Sequence, residues 1–251
     1  MQDSLSRRGI GLNLFASSAV FVLAVAGFAL ARRLILSFMM ESPVLNLLII
    51  GVFLIGTAYA FFWMLRLERE FRQLEAVRVR FREEPRGDWL DVKALRMMPP
   101  SQVSERLALY AEQVSKRCPP NSESHAEKVA MSLGLHAGVT RYIAGLLVFL
   151  GLLGTFVGLL LAIGGIEQTI ANLPREADGD SLAMVNRIID NLGGPLHGMA
   201  TAFSTSVFGL VTSLLVGFFH LQLASGQTRY ISRLEALDSA IFMPAFIERA
   251  G

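Results

Sequence analysis

Charge and cysteine are both scarce in this sequence. Only 18% of its 251 residues are charged, against roughly a quarter in an ordinary soluble domain, whereas 53% are hydrophobic. This composition disfavours a disordered protein, a nucleic-acid-binding protein and a soluble enzyme of ordinary composition. Cys118 is the single cysteine, so an intrachain disulfide cannot form and a thiolate metal cluster has too few ligands. The net charge of +2 does not imply an acidic partner.

Four long stretches contain no Asp, Glu, Lys or Arg. Each reaches the ~20 residues that a helix needs to cross the hydrocarbon of a bilayer. Because backbone groups in lipid must be hydrogen-bonded within their own segment, and because the stretches are continuously apolar, they predict membrane-spanning helices. The first is too long for an ordinary signal peptide, and three more follow it. The four predicted spans are 10–31, 44–65, 142–166 and 196–225.

The chain between the second and third spans has helical patterns. Residues 66–82 predict a charged helix that continues the second span, since Glu and Arg recur three or four positions apart. Apolar spacing predicts a helix over 101–116 and, after a Pro-Pro-Asn loop, another over 122–135. Helical spacing also continues through 227–240. We therefore expect an all-α membrane protein: four transmembrane helices, a small helical cytoplasmic module between helices 2 and 3, and a cytoplasmic extension of helix 4.

Basic residues predict the orientation of the chain. The connection 66–141 holds fourteen of the 23 Lys and Arg residues, whereas 167–195 holds two beside five acids. Since Lys and Arg favour the cytoplasmic side, we expect 66–141 and both termini inside and 167–195 outside. The predicted divisions are a first transmembrane hairpin (1–65), the cytoplasmic module (66–141), a second hairpin (142–225) with the external loop 167–195, and a cytoplasmic tail (226–251).

Small residues recur along the third and fourth spans at intervals of three or four. Positions at these intervals share one face of a helix, and small side chains let membrane helices approach closely. Tight packing alone would also explain such stripes. We predict that the following residues pack the two helices together: Gly151, Gly154 and Gly158 on the third span, and Ala202, Gly209, Ser213 and Gly217 on the fourth.

Hydroxyl side chains also lie on these two spans. A Ser or Thr in a spanning helix often only donates to a carbonyl one turn earlier, and this is the default interpretation for each of them. Thr155 lies ten residues before Gly165, and Ser206 lies nine residues after His197. At ~1.5 Å per residue, both are ~14–15 Å from the outer edge, near the middle of the bilayer. On antiparallel helices these two hydroxyls could face each other.

Two short motifs, LGTFVGL at 153–159 and AFSTSVFGL at 202–210, resemble the pore-helix motifs of the MotA/TolQ/ExbB proton-channel family. The order of a hairpin, a cytoplasmic helical module and a second hairpin with an inward extension is similar as well. The resemblance implies a stator-like subunit of an ion-driven motor in the bacterial inner membrane. It also implies a homopentamer around a dimer of a single-span MotB/ExbD/TolR-like protein, with the second hairpin lining the pore.

The resemblance implies an ion pathway along Thr155 and Ser206, with the adjacent Thr205 as an alternative to Ser206. Many family members have Thr where this chain has Ser206. A proton pathway usually needs a titratable side chain, and the four spans contain no carboxylate. The family supplies that group as an Asp of the partner. Protons are favoured over sodium, because this chain offers no carboxylate to help bind an ion.

Other functional classes find less support. The four histidines lack metal-ligand spacing, the Gly-rich segments lack the Lys of a phosphate-binding loop, and no catalytic constellation is evident. We therefore expect no enzymatic activity, no metal and no cofactor. A secondary transporter is disfavoured by spans without intramembrane charge or a pair of broken helices. The main alternative is a structural membrane scaffold without ion conduction.

Overall fold

The structure, a computed structural model, describes residues 43–84, 92–116, 123–171, 189 and 191–250. Within these residues the regular secondary structure is entirely helical, which confirms the all-α prediction for this part of the chain. Three of the helices are long and apolar enough to cross a membrane, so the chain is a multi-pass membrane protein. The first predicted span, 10–31, lies outside the described residues, as does most of the predicted external loop.

The described helices follow one another in chain order. They are α1 (Pro43–Glu83), α2 (Val92–Arg96), α3 (Gln102–Ser115), α4 (Glu123–Ala171), α5 (Gly193–Leu237), a π-helix (Asp238–Phe242) and α6 (Met243–Ala250). The three long helices α1, α4 and α5 contain 41, 49 and 45 residues. At 1.5 Å per residue they are about 60–75 Å long, roughly twice the hydrocarbon thickness of a bilayer. Each therefore extends well beyond the predicted span that it contains.

The predicted helix over 122–135 is observed from Glu123, but its predicted end is wrong, because α4 runs without a break to Ala171. No proline lies in this segment. Gly134 and Gly138 each cost about 1 kcal/mol of helix propensity, which is too little to end a helix that continues into a long apolar run. The predicted continuation of the fourth span is observed, since α5 reaches Leu237.

The described residues form two compact units. The span unit consists of residues 43–58, 140–171, 189 and 191–219. The charged unit consists of residues 59–84, 92–116, 123–139 and 220–250. Each of the long helices contributes to both units.

In the span unit, α1 packs against α4 and α5 through large apolar side chains. Its buried core consists of Ile49 from α1, Leu147 and Leu150 from α4, and Phe208 and Val216 from α5. At Gly56 a methyl group would lie 2.6 Å from Cγ2 of Ile143, so the missing side chain lets α1 approach α4. This core covers one side of the α4–α5 pair.

In the charged unit, α3 packs on the extensions of α1 and α5. The apolar positions that predicted α3 are buried, namely Val103, Leu107 and Tyr110. Ser101 and Ser104 form a capping box at the start of the helix. The Ser101 hydroxyl accepts the Ser104 N–H at 3.1 Å, and the Ser104 hydroxyl accepts the Ser101 N–H at 3.0 Å. Two otherwise unpaired donors are satisfied in this way, which fixes where α3 begins.

Candidate functional site

The candidate site lies in the span unit, where α4 and α5 touch along their backbones. At one end, a methyl group on Gly165 would lie 2.6 Å from Cδ of Pro195. Fourteen residues earlier on α4, a methyl group on Gly209 would lie 2.7 Å from the Cα atom of Gly151. Successively later residues of α5 contact successively earlier residues of α4. The two helices are therefore antiparallel in a fixed register. Backbone contact at both ends requires residues without large side chains.

The same contact line continues between these ends. A methyl group on Gly158 would lie 2.5 Å from the backbone nitrogen of Ala202. A methyl group on Gly154 would overlap the side chain of Thr205, which is fully buried. The structure thus places Gly154, Gly158 and Ala202 in the helix contact, and it places Thr205 there as well.

The far end of the predicted stripe on α5 departs from this line. Ser213 still reaches α4, because its hydroxyl donates to the carbonyl oxygen of Ala144 at 2.8 Å. Gly217, however, has nothing within 4 Å of an added methyl group among the described residues, so it takes no part in the packing. Gly198 does lie in the contact, because an added methyl group there would overlap the backbone of Ala162. On a straight helix, the nineteen steps from Gly198 to Gly217 amount to a net rotation of about 100°, which turns Gly217 away from α4.

The register determines where the two predicted pore hydroxyls lie. Gly154 and Thr205 contact each other. Thr155 is the next residue after Gly154, and Ser206 is the next residue after Thr205. One position along a helix corresponds to a rotation of about 100° around its axis. Because the helices are antiparallel, these two rotations lead to the same side of the pair. Thr155 and Ser206 therefore lie at one level and on one side, and both are partly buried.

The two sides of the α4–α5 pair differ in their surroundings. Ser204 and Phe208 lie on the side that the span-unit core covers, and both are buried. On the side of Thr155 and Ser206, the neighbouring apolar side chains are exposed: Leu152, Leu159, Phe203 and Leu210 are each 51–70% accessible. The two hydroxyls thus belong to an open apolar face, which we call the hydroxyl face.

Most of the hydroxyls on these helices donate to their own helix. Thr155 Oγ1 donates to the Leu152 carbonyl at 2.6 Å, and Thr205 Oγ1 donates to the Thr201 carbonyl at 2.9 Å. Ser204 Oγ also donates to the Thr201 carbonyl, at 3.1 Å. A hydroxyl that donates in this way keeps its lone pairs, so it can still accept a hydrogen bond from a protonated carboxyl group. After rotation it can instead donate to a carboxylate.

A buried polar network in the charged unit was not predicted. Arg106 Nη2 donates to Asp238 Oδ2 at 2.7 Å, the Tyr110 hydroxyl donates to the same carboxylate at 2.7 Å, and Arg106 Nε donates to the Tyr110 oxygen at 3.1 Å. All three residues are at most 3% exposed. Burial, more than its polar neighbours, raises the pKa of Tyr110 to about 12. The available signal was Arg106 itself, an arginine on the apolar face of α3.

No protein-family model, no curated protein and no solved structure matches this chain. The two motifs and the geometry of α4 and α5 are therefore the features that bear on its function.

Proposed function

We propose that this chain is the pore-forming subunit of a proton-driven membrane motor of the MotA/TolQ/ExbB type. Five copies surround two copies of a single-span partner in the bacterial inner membrane. Proton flow between the two kinds of subunit is converted into mechanical work. The chain crosses the membrane four times, with both termini and the charged unit in the cytoplasm.

The observation that carries this proposal is the shared level and side of Thr155 and Ser206. Two hydroxyls from antiparallel helices, set among exposed apolar side chains, suit a surface that receives an apolar helix carrying one polar group. The opposite side of the pair is covered by α1 and offers no such surface. The hydroxyl face is therefore the side that we assign to the pore.

The chemistry of the hydroxyl face complements a carboxyl group from the partner. The predicted spans contain no Asp or Glu, so in this proposal the carboxyl group that carries the proton comes from another chain. When the partner's Asp is protonated, Thr155 or Ser206 accepts its hydrogen bond; when it is ionised, the same hydroxyls donate to it. Both protonation states thus find a hydrogen-bond partner at mid-membrane, where an unpaired charge is most costly.

A structural scaffold without ion conduction is the second candidate. It is favoured by the internal hydrogen bonds of Thr155 and Thr205, which satisfy the donors of these two hydroxyls in the absence of a partner. In that case the hydroxyl face is simply a lipid or subunit contact, and the hydroxyls contribute nothing to ion movement.

Substitution of the two hydroxyls distinguishes these functions. We expect Thr155→Ala and Ser206→Ala each to lower proton flux on the order of 10–100-fold, because a hydrogen bond to a charged group contributes about 1.5–3 kcal/mol. Flux is measured in membrane vesicles that contain this chain and its single-span partner. Ser204→Ala is the matched control, since Ser204 lies two residues away on the covered side and is 1% exposed. It should retain normal flux.

Co-purification of the two kinds of subunit shows whether each variant still assembles. Normal flux in an assembled Thr155→Ala/Ser206→Ala double variant would refute the ion pathway and favour the scaffold. An equal loss of flux in the Ser204→Ala variant would also count against it, because the effect would then not be specific to the hydroxyl face.

A further inference from the structure

A partly open cavity of about 200 Å³ lies within the charged unit, lined by residues of α1, α3, α4 and α5. On α1 the lining begins at Trp63, in the last turn of the predicted span 44–65. On α4 it includes His136, six residues before the predicted span 142–166. Six helical residues are about 9 Å long, and the headgroup region of one leaflet is roughly 5–8 Å thick. The cavity therefore lies at the level of lipid headgroups.

Three residues of α1 form one row that passes along the cavity. Phe62, Arg66 and Glu70 are spaced by four positions, so they follow one another on one side of the helix at intervals of about 6 Å. Phe62 belongs to the predicted span and is 60% exposed, Arg66 is exposed, and Glu70 is partly buried. From the membrane outward, the row therefore presents an apolar group, then a cation, then an anion.

The guanidinium of Arg66 can bind a ligand without giving up a partner. It forms no hydrogen bond or ion pair with the residues that the structure describes, and its Cζ lies 4.9 Å from the centroid of the Trp63 ring. His136 in turn stacks on Trp63 with ring centroids 3.3 Å apart. Arg66 thus lies against an aromatic ring that is itself packed, at a level where it can meet a lipid phosphate.

The carboxylate of Glu70 is only half used by the protein. Its Oε2 atom accepts the backbone N–H of Gln102 at 3.0 Å, and the Tyr230 hydroxyl lies 3.5 Å from the same oxygen. Its Oε1 atom forms no hydrogen bond with the described residues. Arg66 lowers the pKa of Glu70, but burial outweighs it and Glu105 opposes it, so the pKa is raised. The negative charge of Glu70 is therefore incompletely compensated, and a cation in the cavity would stabilise it.

The cavity suits a primary ammonium better than a quaternary one. A primary ammonium donates three hydrogen bonds, which Oε1 of Glu70 and the amide oxygen of Gln227 can accept. Gln227 lines the cavity and forms no hydrogen bond with the described residues. A quaternary ammonium donates none and is usually bound by several aromatic rings, whereas Trp63 already contacts Arg66 and His136. The cavity has the volume of roughly six water molecules at ~30 Å³ each, enough for the amine end of a headgroup.

We propose that the cavity binds the headgroup of a phospholipid with a primary amine, whose phosphate contacts Arg66 and whose ammonium contacts Glu70. In such a lipid, acyl chains, phosphate and ammonium follow one another from the membrane outward, which is the order of Phe62, Arg66 and Glu70 along α1. An anionic lipid without an amine would fill the phosphate position but leave Glu70 without a countercharge. This site goes beyond the proposed function and requires only that α1 crosses the membrane.

Native mass spectrometry of the full chain in detergent tests the site by titration with three lipids that share the same acyl chains. We expect phosphatidylethanolamine to bind roughly tenfold more tightly than phosphatidylcholine or phosphatidylglycerol, the effect of one hydrogen bond to a charged group. Soluble glycerophosphoethanolamine should compete only at much higher concentration, because it lacks acyl chains. Equal affinity for the three lipids would overturn the proposal. Competition by the soluble headgroup at the concentration of the lipid would also overturn it, because the ligand would then not be a lipid.

Glu70→Gln tests the ammonium position. Its amide oxygen can still accept the Gln102 N–H, but the charge is lost, so phosphatidylethanolamine should bind no better than phosphatidylcholine. Glu68→Gln is the matched control, since Glu68 lies two residues earlier and pairs with Arg72 at 3.3 Å outside the cavity lining. It should keep the native preference. A preference that survives in Glu70→Gln would refute the role of this carboxylate.

Arg66→Gln tests the phosphate position. It should weaken all three lipids together by about tenfold, because each carries a phosphate. Arg69→Gln is the control, since Arg69 is exposed on the same helix and does not line the cavity. Equal losses in the two variants would mean that lipids bind to the basic surface in general, and the site would be refuted. Circular dichroism shows that each variant keeps its helical content, and none of these measurements depends on proton flux.

Discussion

At the scale of single residues, Asp238 should be among the most sensitive positions in the charged unit. Its carboxylate accepts from Arg106 and Tyr110, and all three side chains are buried. Asp238→Ala would leave the Arg106 guanidinium buried without its anion, so we expect the free energy of unfolding to fall by about 3–5 kcal/mol. Denaturant unfolding in detergent, followed by circular dichroism, measures this loss.

A second acidic residue provides the comparison for Asp238. Glu112 pairs with Lys116 at 2.8 Å, but both side chains are solvent-accessible, so Glu112→Gln should cost about 0–1 kcal/mol. If Asp238→Ala were no more destabilising than Glu112→Gln, the buried network would not be a major source of stability.

In the same network, the sequence pattern indicates the buried arginine but not the acid that it pairs with. Arg106 is conspicuous because it interrupts the apolar face of α3, and this local pattern could have indicated a buried charge. Its partner could not be identified in this way, since Asp238 lies 132 positions away and is one of many acids. Residue spacing predicts which face of a helix a side chain occupies, but it does not predict which distant segment meets that face.

At the scale of helices, the α4–α5 contact should tolerate substitution at one predicted packing glycine and not at another. Gly158→Ala places a methyl group against the backbone of Ala202, so we expect a loss of about 1–3 kcal/mol in unfolding free energy. Gly217→Ala, on the same pair of helices, meets nothing within 4 Å among the described residues and should be neutral or stabilising by up to about 1 kcal/mol. Thermal or denaturant unfolding in detergent compares the two. Equal effects would contradict the contact line.

The helices themselves illustrate where local patterns succeed. Apolar runs predicted three spans that the structure describes as long helices, and apolar spacing predicted α3 to within one residue at each end. The predicted end of a helix at Leu135 was wrong, because glycines weaken a helix without ending it. The stripe on α5 was predicted from intervals alone, which do not account for the rotation that removes Gly217 from the contact. The predicted packing residues also did not include Thr205, which lies against Gly154.

At the scale of the whole molecule, the charged unit combines residues of the predicted module and of the predicted tail. Contacts such as those of Glu70 with Gln102 and Tyr230 bring these distant segments together. Composition predicted that the chain is a membrane protein, because apolar runs have a direct physical meaning in lipid. It could not predict the contacts of Glu70 with Gln102 and Tyr230, which exist only when α1, α3 and α5 are assembled.

In the proposed assembly, this chain supplies the hydroxyls of the pore and the single-span partner supplies the carboxyl group. This assignment predicts how each behaves in liposomes. Reconstituted alone in liposomes, this chain should pass no more protons than empty liposomes under an imposed pH gradient, because its predicted spans hold no carboxylate. With the single-span partner, flux should appear, and it should persist when potassium replaces sodium. A partner whose mid-membrane Asp is changed to Asn is the control and should abolish the flux while the subunits still co-purify. Proton flux through this chain alone would mean that its own residues relay the proton. It would refute the proposal that the partner supplies the carboxyl group.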